Sequence, residues 1–242
     1  MDTSSPEVAA TESAAPRWKP VSRIDRRVLG VLVEKAKTTP DAYPMSINAI
    51  VTGANQKNNR YPLMQLEPED VQESLDRLRG MGAVAEVQGS SRVPRFRHYM
   101  YDWLGVDKVE MAVMTELLLR GAQTEGDLRG RAARMEPIAD VAALRPVLNS
   151  LKAKRLVISL TPEGRGHMLT HALYEPNELE KVKAEAAGMA QATMSADTEH
   201  APSPSARPAA SNDSLRDEVA SLRADVDELK RLVERLRNVV EG

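Results

Sequence analysis

Apolar residues follow one pattern that occurs twice along the chain. In residues 67–100 and again in 140–174, apolar positions spaced i, i+4, i+7 precede a short alternating run, a polar turn and a second extended segment. This spacing predicts a helix, and alternation around a turn predicts a β-hairpin. A shift of 73 residues aligns Val71, Leu75, Leu78, Val84 and Val87 with Leu144, Leu148, Leu151, Val157 and Leu160.

Two further helical patterns precede each copy. In the first copy, one begins near Ile24 and the next follows Ser46; in the second, one begins near Val109 and the next follows Thr124. Ser and Thr are favoured at helix N-caps because their hydroxyl accepts a hydrogen bond from the first turn. The order helix, helix, helix, hairpin, met twice, predicts tandem winged helix-turn-helix domains. The predicted fold class is mainly α with small β-hairpin wings (α+β).

Changes in composition predict the domain organisation. Residues 1–20 are rich in Ala, Ser, Thr, Glu and Pro and predict a disordered tail. The two copies predict winged-helix domains over 21–103 and 104–180. A second biased tract predicts a flexible linker over 181–213, whose first half includes the end of a helix. Residues 214–242 predict a coiled coil.

The C-terminal segment 214–242 carries an unbroken heptad pattern. Val at one seam position and Leu at the other favour a parallel two-stranded coiled coil. In such a dimer Glu218 and Asp225 face Arg223 and Lys230 of the partner. The alternative is an amphipathic helix that docks on its own globular part. The predicted dimerisation residues are Leu215, Val219, Leu222, Val226, Leu229, Val233, Leu236 and Val240.

Composition narrows the classes of function. The chain has 242 residues, a net charge of −2 and no cysteine, so a disulfide and a Cys-ligated metal site are excluded. The near balance of charge neither demands nor excludes nucleic acid, because a local basic patch matters more than the sum. Neither a signal peptide nor a run of roughly 20 apolar residues is present, so a cytoplasmic protein without membrane contact is expected.

Two segments carry a family resemblance: "VLGVLVEKAKTTPDAYPMSINAIVTGANQKNNRYPLMQL" at 28–66 and "LLLRGAQTEGDLRGRAARM" at 117–135. They resemble the YceH-like family of uncharacterised bacterial proteins, and the likeness covers about 23–176. The resemblance implies two winged-helix domains in tandem and a cytoplasmic location. It implies no catalytic residue.

A polar stretch, "GANQKNNRYPLM" at 53–64, lies in a surplus of about 13 residues that the second copy lacks. One interpretation is a helix C-cap and a hydrogen-bonded loop braced against "TTPDAYPMS" at 38–46, because polar groups in a long insertion need partners. The other is a contact with phosphates or with a partner protein. The residues concerned are Asn55, Gln56, Lys57, Asn59 and Arg60.

Carboxylates dominate the exposed face predicted for the third helix of the first copy. Glu69, Glu73 and Asp76 lie there, with Arg77 beside them. Phosphates repel carboxylates, so this helix is not predicted to enter a DNA groove in the usual way.

The hairpin that follows this helix is basic. Arg92, Arg95 and Arg97 surround Phe96, and cations at this spacing fit a DNA backbone. A solvated edge strand guarded by charge explains them equally well.

The second copy has a neutral to basic face. Arg145, Asn149 and Lys152 on its third helix, with Arg129 and Arg131 on its second, suit phosphates and base edges. The alternative is that the three arginines of the second helix, Arg129, Arg131 and Arg134, pair with Glu125, Asp127 and Glu136. The predicted nucleic-acid-binding residues are Arg92, Arg95, Arg97, Arg129, Arg131, Arg145, Asn149 and Lys152.

Catalytic patterns are missing from the sequence. It contains no Gly-rich phosphate loop and no Gly-x-Ser-x-Gly. His167 and His171 are four apart on a predicted strand, where that spacing does not converge two imidazoles on one metal. We therefore expect no catalytic residue, no metal and no cofactor. The predicted function is a non-enzymatic, dimeric, DNA-binding or transcription-associated regulator; the alternative is a protein–protein adaptor that presents winged-helix surfaces.

Overall fold

The computed structural model describes residues 18–87, 93–164 and 166–198. The helices are α1 (Arg23–Thr38), α2 (Ile47–Ala54), α3 (Pro68–Gly80), α4 (Met100–Leu104), α5 (Lys108–Arg120), α6 (Glu125–Ala132), α7 (Val141–Ala153) and α8 (Pro176–Thr198). The strands are β1 (Val84–Val87), β2 (Arg95–His98), β3 (Gln123–Thr124), β4 (Val157–Ser159) and β5 (Met168–His171). The prediction of a mainly helical α+β protein with small antiparallel hairpins is confirmed.

Several sequence predictions lie outside the described residues. They concern Arg92, the tail as far as residue 17 and the coiled coil over 214–242 with its dimerisation residues. α8 continues to Thr198, into the tract for which a linker with a helix end was predicted.

The same order of elements occurs twice. Helices α1 to α3 precede the hairpin β1–β2, and helices α5 to α7 precede the hairpin β4–β5. In each repeat the chain just before the second helix pairs with the second hairpin strand: Met45 bridges Phe96, and β3 pairs with β5. The hairpin registers also correspond, since Val84 faces His98 and Val157 faces His171.

The predicted apolar seams form the core of each repeat. All six helix positions of the aligned pattern are buried: Val71, Leu75, Leu78, Leu144, Leu148 and Leu151. The first strand positions, Val84 and Val157, are buried as well, whereas Val87 and Leu160 are half-buried. Ser46 and Thr124 cap α2 and α6 as predicted, each accepting a hydrogen bond from the backbone of the first turn.

α1 is buried on nearly all sides. Every residue from Asp25 to Glu34 is buried, because α1 packs on α2 and α3 of its own repeat and on α5 of the second. The approach to α5 is close at Gly30, where an added Cβ would lie 2.8 Å from the Leu119 side chain. A larger residue there would force the two helices apart.

The two repeats therefore share a core. Their buried apolar residues form one cluster, and the described residues up to Ser195 belong to one compact unit. The predicted domain boundary between residues 103 and 104 falls at the end of α4, and the division into 21–103 and 104–180 stays a prediction. No helix of the described ranges has the length and apolar character needed to cross a bilayer.

Candidate functional site

The polar stretch after α2 is centred on a buried guanidinium. Arg60 is 5% exposed, and its Nη2 and Nη1 donate to Glu34 Oε2 at 2.6 Å and Oε1 at 3.2 Å. Its Nε donates to the Gly53 carbonyl at 2.9 Å, which satisfies an acceptor at the end of α2. This bidentate pair ties the loop to α1, the central helix.

The other members of the stretch complete the same loop. Asn55 exchanges two hydrogen bonds with the Leu66 backbone, at 2.9 and 2.8 Å, as a paired strand residue would. Asn59 adopts a left-handed backbone with φ 62°, and its Oδ1 accepts a hydrogen bond from Arg120 of α5. Gln56 Oε1 accepts from Arg60 Nη2 at 3.0 Å, while Lys57 is exposed.

The segment 38–46 has a different set of partners. Its Tyr43 hydroxyl accepts from the His98 N–H at 2.6 Å, and its Pro44 carbonyl accepts from Arg95 Nη1 at 2.8 Å. The polar loop therefore bonds mainly to α1 and α5, whereas 38–46 bonds to the first hairpin.

Two of the predicted cations lie on the outer face of that hairpin. Arg95 and Arg97 are exposed on β2, on the opposite side from the buried Phe96. Arg95 contacts the Pro44 carbonyl, and the Arg97 guanidinium lies 5.0 Å from the centre of the Tyr99 ring. Among the described residues neither guanidinium has a carboxylate within ion-pair distance. We call Arg95, Arg97 and Tyr99 the first wing face.

Sequence reasoning missed Tyr99 as a member of this face. Its signal is the period-2 spacing of residues 95, 97 and 99, which places alternate side chains on one side of an extended chain. The ring is 40% exposed and holds the Arg97 guanidinium outward by a cation–π contact.

The cations of the second repeat contact groups within the chain. Arg145 Nε lies 3.3 Å from Glu125 Oε2, and Lys152 Nζ lies 2.9 Å from Glu163 Oε1. The alternative interpretation did not include Arg145; the ion pair that it anticipated is that of Arg131 with Asp127, which lie 3.7 Å apart.

The two arginines of α6 are also engaged. Arg131 donates to Gln123 Oε1 at 2.7 Å and lies 3.7 Å from Asp127, while Arg129 donates to the carbonyls of Ile138 and Ala139. Five residues of this repeat were predicted to contact DNA. Four of them make the ion pairs and hydrogen bonds just described, whereas the exposed side chain of Asn149 makes no such contact with the described residues.

The acidic face of α3 is present, with one change. Glu69, Glu73 and Asp76 are exposed, but Arg77 Nη2 reaches inward to the buried Asp25 Oδ1 of α1 at 3.0 Å. Arg77 Nη1 also lies 3.7 Å from Glu73, and Arg79 Nη1 lies 3.3 Å from Asp76, so two of the three carboxylates keep a cationic neighbour.

The histidines of both hairpins have structural contacts. His98 Nδ1 accepts from the Met100 N–H at 3.3 Å, and His171 Nδ1 accepts from the Leu173 N–H at 3.2 Å. Burial, then the charges of Arg97 and Lys37, lowers the pKa of His98 to about 4. Burial likewise lowers the pKa of His171 well below its usual value.

His167 bridges two elements of the second repeat. Its ring nitrogens lie 2.8 Å from Glu125 Oε1 and 3.0 Å from Ser159 Oγ. Across residues 18–87, 93–164 and 166–198, no three His, Asp or Glu side chains come together in a way that could hold a metal ion.

These features define a mainly helical protein in which a helix–hairpin unit occurs twice. The chain belongs to the family described as "Protein of unknown function, DUF480", whose model matches residues 21–165. The predicted membership of a YceH-like family of bacterial proteins is thereby confirmed.

Proteins of several bacteria are similar to this chain. The UPF0502 protein RB6530 of Rhodopirellula baltica is 50% identical over 188 residues, which cover 76% of this chain and 79% of that protein. A UPF0502 protein of Dechloromonas aromatica is 38% identical over 219 residues, which cover 88% of this chain and 94% of that protein.

Proposed function

We propose that this is a dimeric tandem winged-helix protein that binds the backbone of duplex DNA, led by the first wing face, and acts in transcription-associated regulation. The observation that carries the proposal is the pair of exposed guanidiniums, Arg95 and Arg97, on a hairpin side without a carboxylate partner among the described residues. The predicted coiled coil over 214–242 would bring two such faces together, and multivalency would raise the affinity.

The winged-helix interpretation is supported by topology. Each repeat has three helices followed by a hairpin, and the chain before its second helix adds to that hairpin. A winged helix-turn-helix has this order of elements.

The first wing face is suited to phosphates. Residues two apart on a strand lie about 7 Å from each other on one side, so both guanidiniums face the same surface. A guanidinium carries five N–H donors. Arg95 uses one of them on the Pro44 carbonyl and the rest remain for phosphate oxygens.

The acidic α3 limits how the protein would dock. Its exposed carboxylates Glu69, Glu73 and Asp76 oppose insertion of this helix into a groove. Contacts from the first repeat would therefore go to the backbone, with little reading of base sequence.

The second repeat has a supporting role in this proposal. Arg145 is 64% exposed, and solvent screening weakens its ion pair with Glu125, which is 15% exposed. The Arg145 guanidinium can therefore contact a phosphate as well. Asn149 on the same helix is free to contact a base edge.

The test is retention of a labelled duplex by the full chain across a salt series. For Arg95→Gln with Arg97→Gln, affinity should fall about tenfold or more and the salt slope should decrease by about 2, because two phosphate contacts are lost. The matched control is Lys108→Gln with Lys183→Gln, which removes two exposed cations elsewhere. Failure of the parent protein to retain DNA at low salt, or equal losses in both double variants, would refute the proposal.

The acidic face of α3 favours a second candidate, a protein–protein adaptor. Glu73 and Asp76 are 75% and 55% exposed and would complement a basic partner surface. Recovery of one stoichiometric protein partner, lost in Glu73→Lys with Asp76→Lys while DNA retention stays absent, would support the adaptor over DNA binding.

A further inference from the structure

A cleft of about 390 Å³ lies between the two repeats. Its walls come from α1, from residues 61–64 after α2, from the end of α5, and from β5 and α8. This volume is within the range of small-molecule sites, roughly 300–1,000 Å³. None of the described residues predicted from the sequence to contact DNA lines it.

The most unusual group in the cleft is Arg27. Its side chain is 1% exposed, and its Nη1 and Nη2 donate to the carbonyls of Ala54 at 2.9 Å and Pro62 at 2.7 Å. Its Nε is buried without a hydrogen-bond partner. Among the described residues no carboxylate forms an ion pair with it.

Arg27 stays charged in this setting. Burial, with the charges of Arg60 and Arg23 nearby, lowers its pKa to about 10, which is still above neutral pH. Buried charges are normally paired, because an uncompensated one is costly. The missing counter-charge and the unsatisfied Nε both indicate that an anion completes this site.

Most of the charged side chains that line the cleft are cationic, like Arg27. Five cationic side chains and two carboxylates face the cleft. Arg26 is already committed to Glu178 at 2.5 Å. Arg23 is not, since it is 61% exposed and lies 3.9 Å from that carboxylate. Arg23, which is largely exposed, and Arg27, which is buried, lie four residues apart on α1 and both line the cleft, so they are placed to receive the same anion.

The remaining walls are apolar. Tyr61, Met64, Leu118, Met168 and Val182 line the cleft, and Tyr61 is 72% exposed at its edge. An inorganic ion would leave these surfaces without contacts, whereas an aromatic or aliphatic body would cover them.

We propose that this cleft binds a small organic anion, in which a carboxylate or phosphate contacts Arg23 and Arg27 and an apolar body lies against Met64, Leu118 and Met168. Both repeats contribute to the walls, so a bound anion would stabilise their packing against each other. The proposal goes beyond DNA binding and does not depend on it.

Titration calorimetry of the full chain tests this with four probes. Phenyl phosphate and benzoate carry an anion on an apolar body, inorganic phosphate lacks the body, and benzyl alcohol lacks the charge. Saturable binding of phenyl phosphate or benzoate is expected, at least about tenfold tighter than that of inorganic phosphate or benzyl alcohol. The tighter of the two anions identifies the headgroup. No saturation by either at millimolar concentration would overturn the proposal.

Three substitutions test whether the anion binds in the cleft. Arg23→Gln should weaken the better probe about tenfold, since a charge-assisted hydrogen bond is lost. Arg79→Gln removes an arginine that is 42% exposed on α3 and should leave binding unchanged. Ala122→Phe should abolish binding by filling the cleft, whose wall includes Ala122. Because Arg23 is exposed, its variant stays informative even if the filled variant fails to fold. Equal binding by the parent and Arg23→Gln would overturn the assignment.

Discussion

The two hairpins occupy equivalent places in their repeats but use their charges differently. On the first, Arg95 and Arg97 face outward against a carbonyl and an aromatic ring. Around the second, His167 bridges Glu125 and Ser159, so that hydrogen bonds hold the hairpin to α6. One backbone unit thus presents exposed cations at the surface in one copy and forms internal contacts in the other.

The two hairpins also have a histidine and an aromatic residue in equivalent places. His98 and His171 lie 73 residues apart, at the end of the second hairpin strand, and each accepts a backbone hydrogen bond two residues ahead. An aromatic residue follows each: Tyr101 lies 5.8 Å from His98 between ring centroids, and Tyr174 stacks on His171 at 3.9 Å. The shared features are internal supports, and the differences lie in surface charge.

The largest predicted effect comes from the loop that the second repeat lacks. Arg60→Ala leaves the buried Glu34 without its partner, so the free energy of unfolding should fall by about 3–5 kcal/mol. Urea unfolding measures the change. Lys57→Ala, at an exposed position of the same loop, is the control and should change stability by less than about 0.5 kcal/mol.

A double variant separates charge from packing in this loop. Arg60→Met with Glu34→Gln removes both charges and should destabilise less than Arg60→Ala alone, because no buried charge is left unpaired. If Arg60→Ala unfolds at the same urea concentration as Lys57→Ala, the buried pair does not support the first repeat in the way its geometry indicates.

Acid should weaken the first hairpin through His98. Its pKa is about 4 in the folded protein and near 6.5 when unfolded, so the unfolded chain binds the proton first as the pH falls. Stability from this group is complete above about pH 6.5 and is lost toward pH 4, at about 1.4 kcal/mol per pH unit and up to about 3 kcal/mol in total.

His98→Asn isolates that contribution, since the amide oxygen can still accept the Met100 N–H. Carboxylates titrate in the same range, so the informative quantity is the difference between parent and variant in chemical unfolding at pH 7, 5.5 and 4. The variant should lose less stability between pH 7 and 4. Parallel curves would mean that His98 does not stay neutral in the fold.

The repeated elements were predictable from the sequence because apolar periodicity records which face of a helix is buried. Val71, Leu75 and Leu78 and their counterparts are buried as that pattern requires. Helix caps are equally local, since a hydroxyl bonds to a backbone N–H within one turn, as at Ser46 and Thr124.

The polar contacts between elements were not predictable in the same way. Arg60 and Glu34 are 26 residues apart, and nothing in either local pattern specifies their pairing. Likewise Arg26 and Arg27 have the appearance of a solvated face of α1 in the sequence. They are buried because α5, the loop after α2 and α8 surround that helix, which depends on tertiary packing alone.

The smallest predicted effect would make the second repeat resemble the first. Lys152 is held by the exposed carboxylate of Glu163, and Glu163→Gln removes that counter-charge. If the proposed DNA binding holds, the released ammonium should tighten retention of a duplex about twofold at low salt and steepen the salt dependence. Glu180→Gln is the matched control, because Glu180 is similarly exposed and pairs with Lys183 on α8.

The two variants change the net charge of the protein equally. A gain in both would therefore indicate only an effect of net charge. A gain confined to Glu163→Gln would place DNA beside α7, because Lys152 loses its carboxylate partner there. No gain at all would restrict the DNA contact to the first wing face, whose guanidiniums have no carboxylate partner in the part of the chain that the structure describes.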